Sequence, residues 1–143
     1  MPAGYSGTPL AKKLGIEPGA HVAVLGTPVE YGSLLGDRPE DVRFSAVVKS
    51  DTTIAHVFVT ERSELASHLK KLRVKLEETV PVWVSWPKRA SKVATDITED
   101  TIREVALPMG YVDIKVCAVS DVWSGLKLVV RKELRGKQAG LKQ

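Results

Sequence analysis

Residues 80–100 read VPVWVSWPKRASKVATDITED. From Val80 to Trp86 the chain is apolar at both parities, with Ser85 the one small polar residue. A strand wet on one face would alternate, so this run predicts a strand covered on both faces, as in parallel sheets packed between helices. Pro87 ends the run because it has no N–H to donate. Three cations follow in a short loop, Lys88, Arg89 and Lys92. Thr98 then reads as a helix N-cap, with Glu99 and Asp100 in the first turn, where the helix dipole favours acids. Ile97 and Ile102 fall at the two positions of a hydrophobic staple. The stretch is therefore strand, basic loop, helix.

The same units repeat outward. Upstream, Leu65, Leu69, Leu72 and Leu76 form one apolar stripe of a helix predicted from Thr60, as its cap, to about Glu78. Downstream, Ile102, Val105, Ala106 and Met109 form the stripe of the helix that Gly110 ends. Tyr111–Ser120 and Trp123–Lys132 read as two strands joined at Asp121, an antiparallel hairpin. Toward the start, Thr8 and Pro9 open a short helix with Gly15 at its left-handed end, and Glu17-Pro18-Gly19 is a turn. Strands are expected at His21–Gly26, Val42–Val48 and Ile54–Val59, with loop or brief helix over 27–39. Strand, strand, strand, helix, strand, helix and hairpin predict an α/β, three-layer domain with a mostly parallel sheet, in the order 2-1-3-4-6-5.

Composition bounds the rest. The chain has 143 residues, 43% hydrophobic and 27% charged, with a net charge of +4. One domain over 1–143 is expected, with flexible ends at 1–7 and 134–143. Six cations face one acid, Glu133, between Lys127 and Lys142. This balance admits an anionic small molecule, an acidic protein surface or nucleic acid as partner, and demands none of them. A single cysteine, Cys117, allows no internal disulfide, and its strand is expected to be interior. The scattered His21, His56 and His68 offer no metal site. No secretory h-region or membrane-length apolar run appears, so a cytoplasmic setting is expected, without membrane association.

The second half resembles that of a class I methyltransferase fold. Gly110-Tyr111-Val112-Asp113-Ile114-Lys115-Val116 and Leu126-Lys127-Leu128-Val129-Val130-Arg131-Lys132 are similar to its closing hairpin. The chain also resembles a small bacterial family of unknown function through Ser6–Ile16, SGTPLAKKLGI, and Val122–Val129, VWSGLKLV. The methyltransferase resemblance implies an S-adenosylmethionine site, built on a G-x-G-x-G loop after the first strand and an acid after the second. The matching loop, Leu25–Gly32, reads LGTPVEYG, with Pro28 where the second glycine would stand. Asp51 is the one candidate acid. A chain this short also lacks at least one strand-helix unit of that fold.

Open parallel sheets bind ligands beyond the carboxyl ends of their strands. There the sequence brings Gly26 and Thr27, Thr60–Arg62, and the basic loop. Lys88, Arg89 and Lys92, with the helix start at Thr98, form a candidate anion site, and Trp86 is a candidate stacking platform. The expected function is a binding module without catalytic residues, cofactor or metal. The alternative is a degenerate or active S-adenosylmethionine-dependent enzyme. Ser85, Ser91, His68 and Asp96 lack the G-x-S-x-G elbow of a hydrolase.

Overall fold

The computed structural model describes residues 9–135. The elements are α1 (Leu10–Leu14), β1 (His21–Leu25), α2 (Tyr31–Leu35), β2 (Arg43–Ser45), β3 (Ile54–Phe58), α3 (Arg62–Lys75), β4 (Val82–Pro87), α4 (Glu99–Ala106), β5 (Tyr111–Ala118) and β6 (Trp123–Val130). They build one six-stranded sheet in the order β2-β1-β3-β4-β6-β5. The pairs among β1 to β4 are parallel. β6 runs antiparallel to both of its neighbours, β4 and β5.

Side-chain alternation sends β3 and β4 residues to two different helical layers. Ala55, Val57, Val82, Val84 and Trp86 pack with Leu65, Leu69 and Leu72 of α3 and Ile102, Val105 and Ala106 of α4. Burying one such leucine stabilises by about 1.5–3 kcal/mol. On the other face, Ile54, Phe58 and Trp83 pack with Leu10 and Leu14 of α1 and Tyr31 and Leu35 of α2. The Trp83 indole N–H donates to the Leu14 carbonyl at 3.0 Å, so β4 holds the end of α1 as well as its own neighbours.

Several boundaries differ from expectation, each for a local reason. β2 has three residues because Ser45 Oγ donates to the Val47 carbonyl at 2.6 Å, turning the chain off the sheet edge. Glu61, not Thr60, is the N-cap of α3, and its N–H donates to the Glu64 carboxylate at 3.2 Å. That helix stops at Lys75 because Leu76 has extended backbone. Pro9 is the N-cap of α1 rather than its first residue, and Gly15 closes that helix at φ 80° as expected. Thr8 lies outside the described residues, as do most of the ends expected to be flexible. Leu134 is described and packs against the α3/α4 core. Cys117 is half-buried on β5, an edge strand rather than an interior one, and burial raises its thiol pKa. No helix among the described residues is long and apolar enough to cross a membrane.

Candidate functional site

The carboxyl ends of the parallel strands are built from close backbone approaches. β1 ends at Gly26, whose φ is 69° and whose added Cβ would lie 2.3 Å from the Phe58 carbonyl oxygen. Glycine is required there on both counts. Beyond β3, the Thr60 carbonyl accepts from Thr95 Oγ1 at 2.6 Å and from the Asp96 N–H at 3.3 Å. The Arg62 N–H donates to the Asp96 carboxylate at 2.7 Å. These bonds strap the far end of the β4–α4 loop to the β3–α3 connection. Its near end is held by Lys88 N–H, which donates to the Val122 carbonyl of the hairpin at 2.7 Å. In between, Ser91 Oγ donates to the Lys88 carbonyl at 2.6 Å. Lys92 takes left-handed backbone at φ 62°, a conformation uncommon outside glycine.

The strapped loop leaves a cavity of about 430 Å³ between itself, the end of β4 and the start of α4. Trp86 and Ile97, only 6% and 3% exposed, form its floor with Pro87. Arg89, Lys92, Val93 and Ala94 are exposed and make its rim. Glu99 also lines it; its carboxylate accepts from Arg103 at 3.0 Å, a guanidinium shared with Asp100 and Asp113, so three carboxylates divide one positive charge. Thr95 and Thr98 complete the wall.

Of the seven residues singled out from the sequence, Trp86, Arg89, Lys92 and Thr98 line this cavity. Lys88 sits beside it, half-buried, with its backbone committed to the hairpin. Gly26 and Thr27 lie elsewhere along the same edge. Thr27 lines a separate hollow of about 230 Å³ with Val24, Tyr31, Phe44, Ser45 and Ala46. Trp86 offers no exposed ring face for stacking, because position 86 follows Val82 and Val84 onto the helix-covered face. The start of α4 is also partly occupied. Thr101 N–H donates to Thr98 Oγ1 at 3.2 Å and Thr98 N–H to Thr101 Oγ1 at 3.1 Å. Cation side chains, rather than helix N–H groups, are what this edge presents to an anion.

Two polar clusters escaped the sequence reading. His56 Nε2 lies 2.7 Å from Ser85 Oγ and its Nδ1 lies 3.0 Å from the Tyr31 hydroxyl. All three are buried. Burial lowers the His56 pKa to about 3 and raises that of Tyr31. A neutral imidazole therefore bridges two hydroxyls within the core. The candidate hydrolase set is not assembled: Ser85 meets His56, not His68, while Asp96 is bound by the Arg62 backbone. The pairing was foreseeable only from the strand register that sets Ser85 next to Phe58. The second cluster is Asp51, whose carboxylate meets His21 Nδ1 at 2.8 Å and the Arg43 guanidinium at 2.6 Å. Hydrogen bonds from His21 and then Arg43 lower its pKa to about 2. His21 and Arg43 open β1 and β2, so Asp51 lies at the amino edge of the sheet. Among the described residues no group of His, Cys, Asp and Glu is placed to hold a metal.

No protein-family profile matches the chain, and no curated protein matches it in sequence, so the likeness to a small bacterial family stays a resemblance. Solved structures do match. A SAM-dependent methyltransferase from Aquifex aeolicus superposes with a TM-score of 0.58 at 15% identity, over 85% of this chain and 88% of that one. A Sulfolobus solfataricus protein assigned to the type 11 methyltransferases gives 0.61 at 9% identity, over 86% and 90%. A protein of the NADB-Rossmann superfamily from Streptococcus agalactiae gives 0.53 at 12% identity, over 90% and 70%. At these identities the likeness establishes the fold: a methyltransferase-like, Rossmann-type α/β domain.

The residues present do not fit the nucleoside cofactor of that fold. Pro28 lacks the N–H and the freedom of a second glycine. The four residues after β2 are Ala46, Val47, Val48 and Lys49, with no carboxylate among them. Asp51, the one candidate for the ribose hydroxyls, is at the opposite edge and already paired.

Proposed function

We propose that this chain is a degenerate methyltransferase-like domain that binds an anionic small molecule at the carboxyl edge of its sheet. The observation that carries this reading is the cavity of about 430 Å³ with Arg89 and Lys92 on its rim. Its size lies in the usual range for ligand sites, roughly 300–1,000 Å³. The rim guanidinium and ammonium are matched to phosphate, sulfate or carboxylate. The reading is one of binding and assigns no catalytic residue.

The test is a titration of inorganic phosphate followed by amide resonances. Shifts should concentrate in Arg89–Thr98 and weaken with added salt, since exposed charges are screened beyond about 8 Å at physiological ionic strength. Shifts spread evenly over the surface would discard the site.

A second reading is S-adenosylmethionine-dependent transfer, and the methyltransferase neighbours favour it. The degenerate reading expects calorimetry to give no micromolar binding of that cofactor. Micromolar binding would reinstate the enzyme, with the smaller hollow beside Thr27 and Tyr31 as the first place to mutate.

A further inference from the structure

The cavity beside Arg89 and Lys92 is much larger than an inorganic anion needs, and most of it is not polar. Trp86, Pro87, Ile97, Val93 and Ala94 supply an apolar floor and wall, while the two cations stand on the rim. A lone phosphate would satisfy the rim and leave the apolar wall of Val93 and Ala94 facing water. Val93, 44% exposed, would stay so. The two hydroxyls in the wall are already bonded within the protein. Thr95 Oγ1 is spent on the Thr60 carbonyl and the Ile97 N–H, and Thr98 Oγ1 on Thr101. Glu99 shares the Arg103 guanidinium with Asp100 and Asp113, so its charge is only partly offset, and Arg89 and Lys92 have to outweigh it for an anion to bind. The left-handed backbone at Lys92 turns the chain where the rim is made, and the Ser91 and Lys88 bonds hold that turn in place.

We infer that the site takes an amphipathic organic anion, an apolar body of ring or short-chain size ending in one carboxylate, sulfonate or phosphate. The body packs against Val93 and Ala94 above the small bared edges of Trp86 and Ile97, and the anionic end meets Arg89 and Lys92. The buried indole acts here as a floor and not as a stacking plate. This inference rests on the proposed anion site and adds the apolar half of its ligand.

The experiment uses two probes that share one aromatic body, anilinonaphthalene sulfonate and the uncharged phenylnaphthylamine. Affinities are read by fluorescence titration, beside the phosphate titration. The sulfonate should bind at least about tenfold tighter than the neutral probe, a difference of about 1.4 kcal/mol. Arg89→Ser with Lys92→Ser should remove that advantage and leave the neutral probe unchanged. Lys70→Ser with Lys71→Ser, exposed on α3, removes the same charge elsewhere and should change neither. Ala94→Trp, which fills the cavity from its exposed rim, should weaken both probes at least about tenfold. Equal affinity for the two probes overturns the inference, as does unchanged binding in Ala94→Trp. Phosphate shifts at 89–98 alongside either of those results would leave the anion site standing and sink only its apolar half. Loss of both responses would sink the two together.

Discussion

The two faces of the sheet solve the same packing problem with different chemistry. One is covered by α3 and α4, of fourteen and eight residues, and its buried cluster is aliphatic apart from Trp86 and Tyr111. The other is covered by α1 and α2, five residues each. There the sheet, together with Tyr31 of α2, supplies aromatic rings and hydrogen bonds. His56 stacks on Phe58 with ring centroids 4.3 Å apart, and Tyr31 meets Phe58 edge-on at 5.5 Å. Phe58 in turn meets Trp123 edge-on at 5.0 Å. Short helices present few apolar side chains, so large rings span the gap and a bridging histidine joins the second helix to β3 and β4. The aliphatic face is held by area, the aromatic face by particular partners.

The contrast breaks first on the aliphatic face. Leu69→Ala removes a side chain with no exposure and should cost about 2–5 kcal/mol, read as a lower denaturation midpoint. A cost below about 1 kcal/mol would mean that this face relaxes freely and does not dominate stability.

On the aromatic face the expected losses are smaller but coupled. Ser85→Ala should cost about 1–3 kcal/mol, because it strands His56 Nε2 in a dry interior. The triple change Tyr31→Phe, His56→Leu, Ser85→Ala removes every member of the chain. It should cost less than the sum of the three single changes, by at least about 0.5 kcal/mol. Simple additivity would show that the three groups merely lie near one another.

Acid should separate the faces next. Burial depresses the His56 pKa from 6.5 to about 3, so the unfolded chain takes up the proton first. The contribution is complete above about pH 6.5 and is lost progressively as pH falls toward 3. Between pH 7 and pH 5 the loss should be on the order of 1–2 kcal/mol, and His56→Leu should flatten it. An unchanged slope in that variant would assign the acid sensitivity elsewhere. Asp51 adds a separate dependence with the same sign at lower pH, between its ordinary value of 3.8 and about 2. Asp51→Asn should remove that lower portion and leave the change above pH 5 intact.

The basic loop should move stability least. Changing Lys88, Arg89 and Lys92 together to serine should shift it by no more than about 0.5 kcal/mol, while abolishing the phosphate response. A large drop in thermal midpoint would make the loop a structural strap alone.

Much of the fold could be read from residue pattern, and the reasons are local. The continuous Val80–Trp86 run demanded cover on both faces, and Thr98 with Ile97 and Ile102 marked the start of α4, where it is found. Boundaries set by a hydrogen bond to a residue elsewhere in the turn, such as the early end of β2 at Ser45, were not readable. The candidate site was half legible. Arg89, Lys92 and Thr98 are loop and cap residues whose places follow from the ends of β4 and α4. Lys88 was grouped with them by adjacency, yet it stands outside the lining because its backbone belongs to the hairpin.

The sequence by itself determined the order of strands and helices, the three layers, and the position of the basic loop at the carboxyl edge of the sheet. Those follow from periodicity, caps and chain direction, all short-range quantities. Tertiary structure alone decided that Trp86 is a floor, that Asp51 lies at the wrong edge for a ribose, and that His56 joins Tyr31 to Ser85. The last two depend on pairing between residues 25 or more apart, and that register is set by the whole sheet closing on its core.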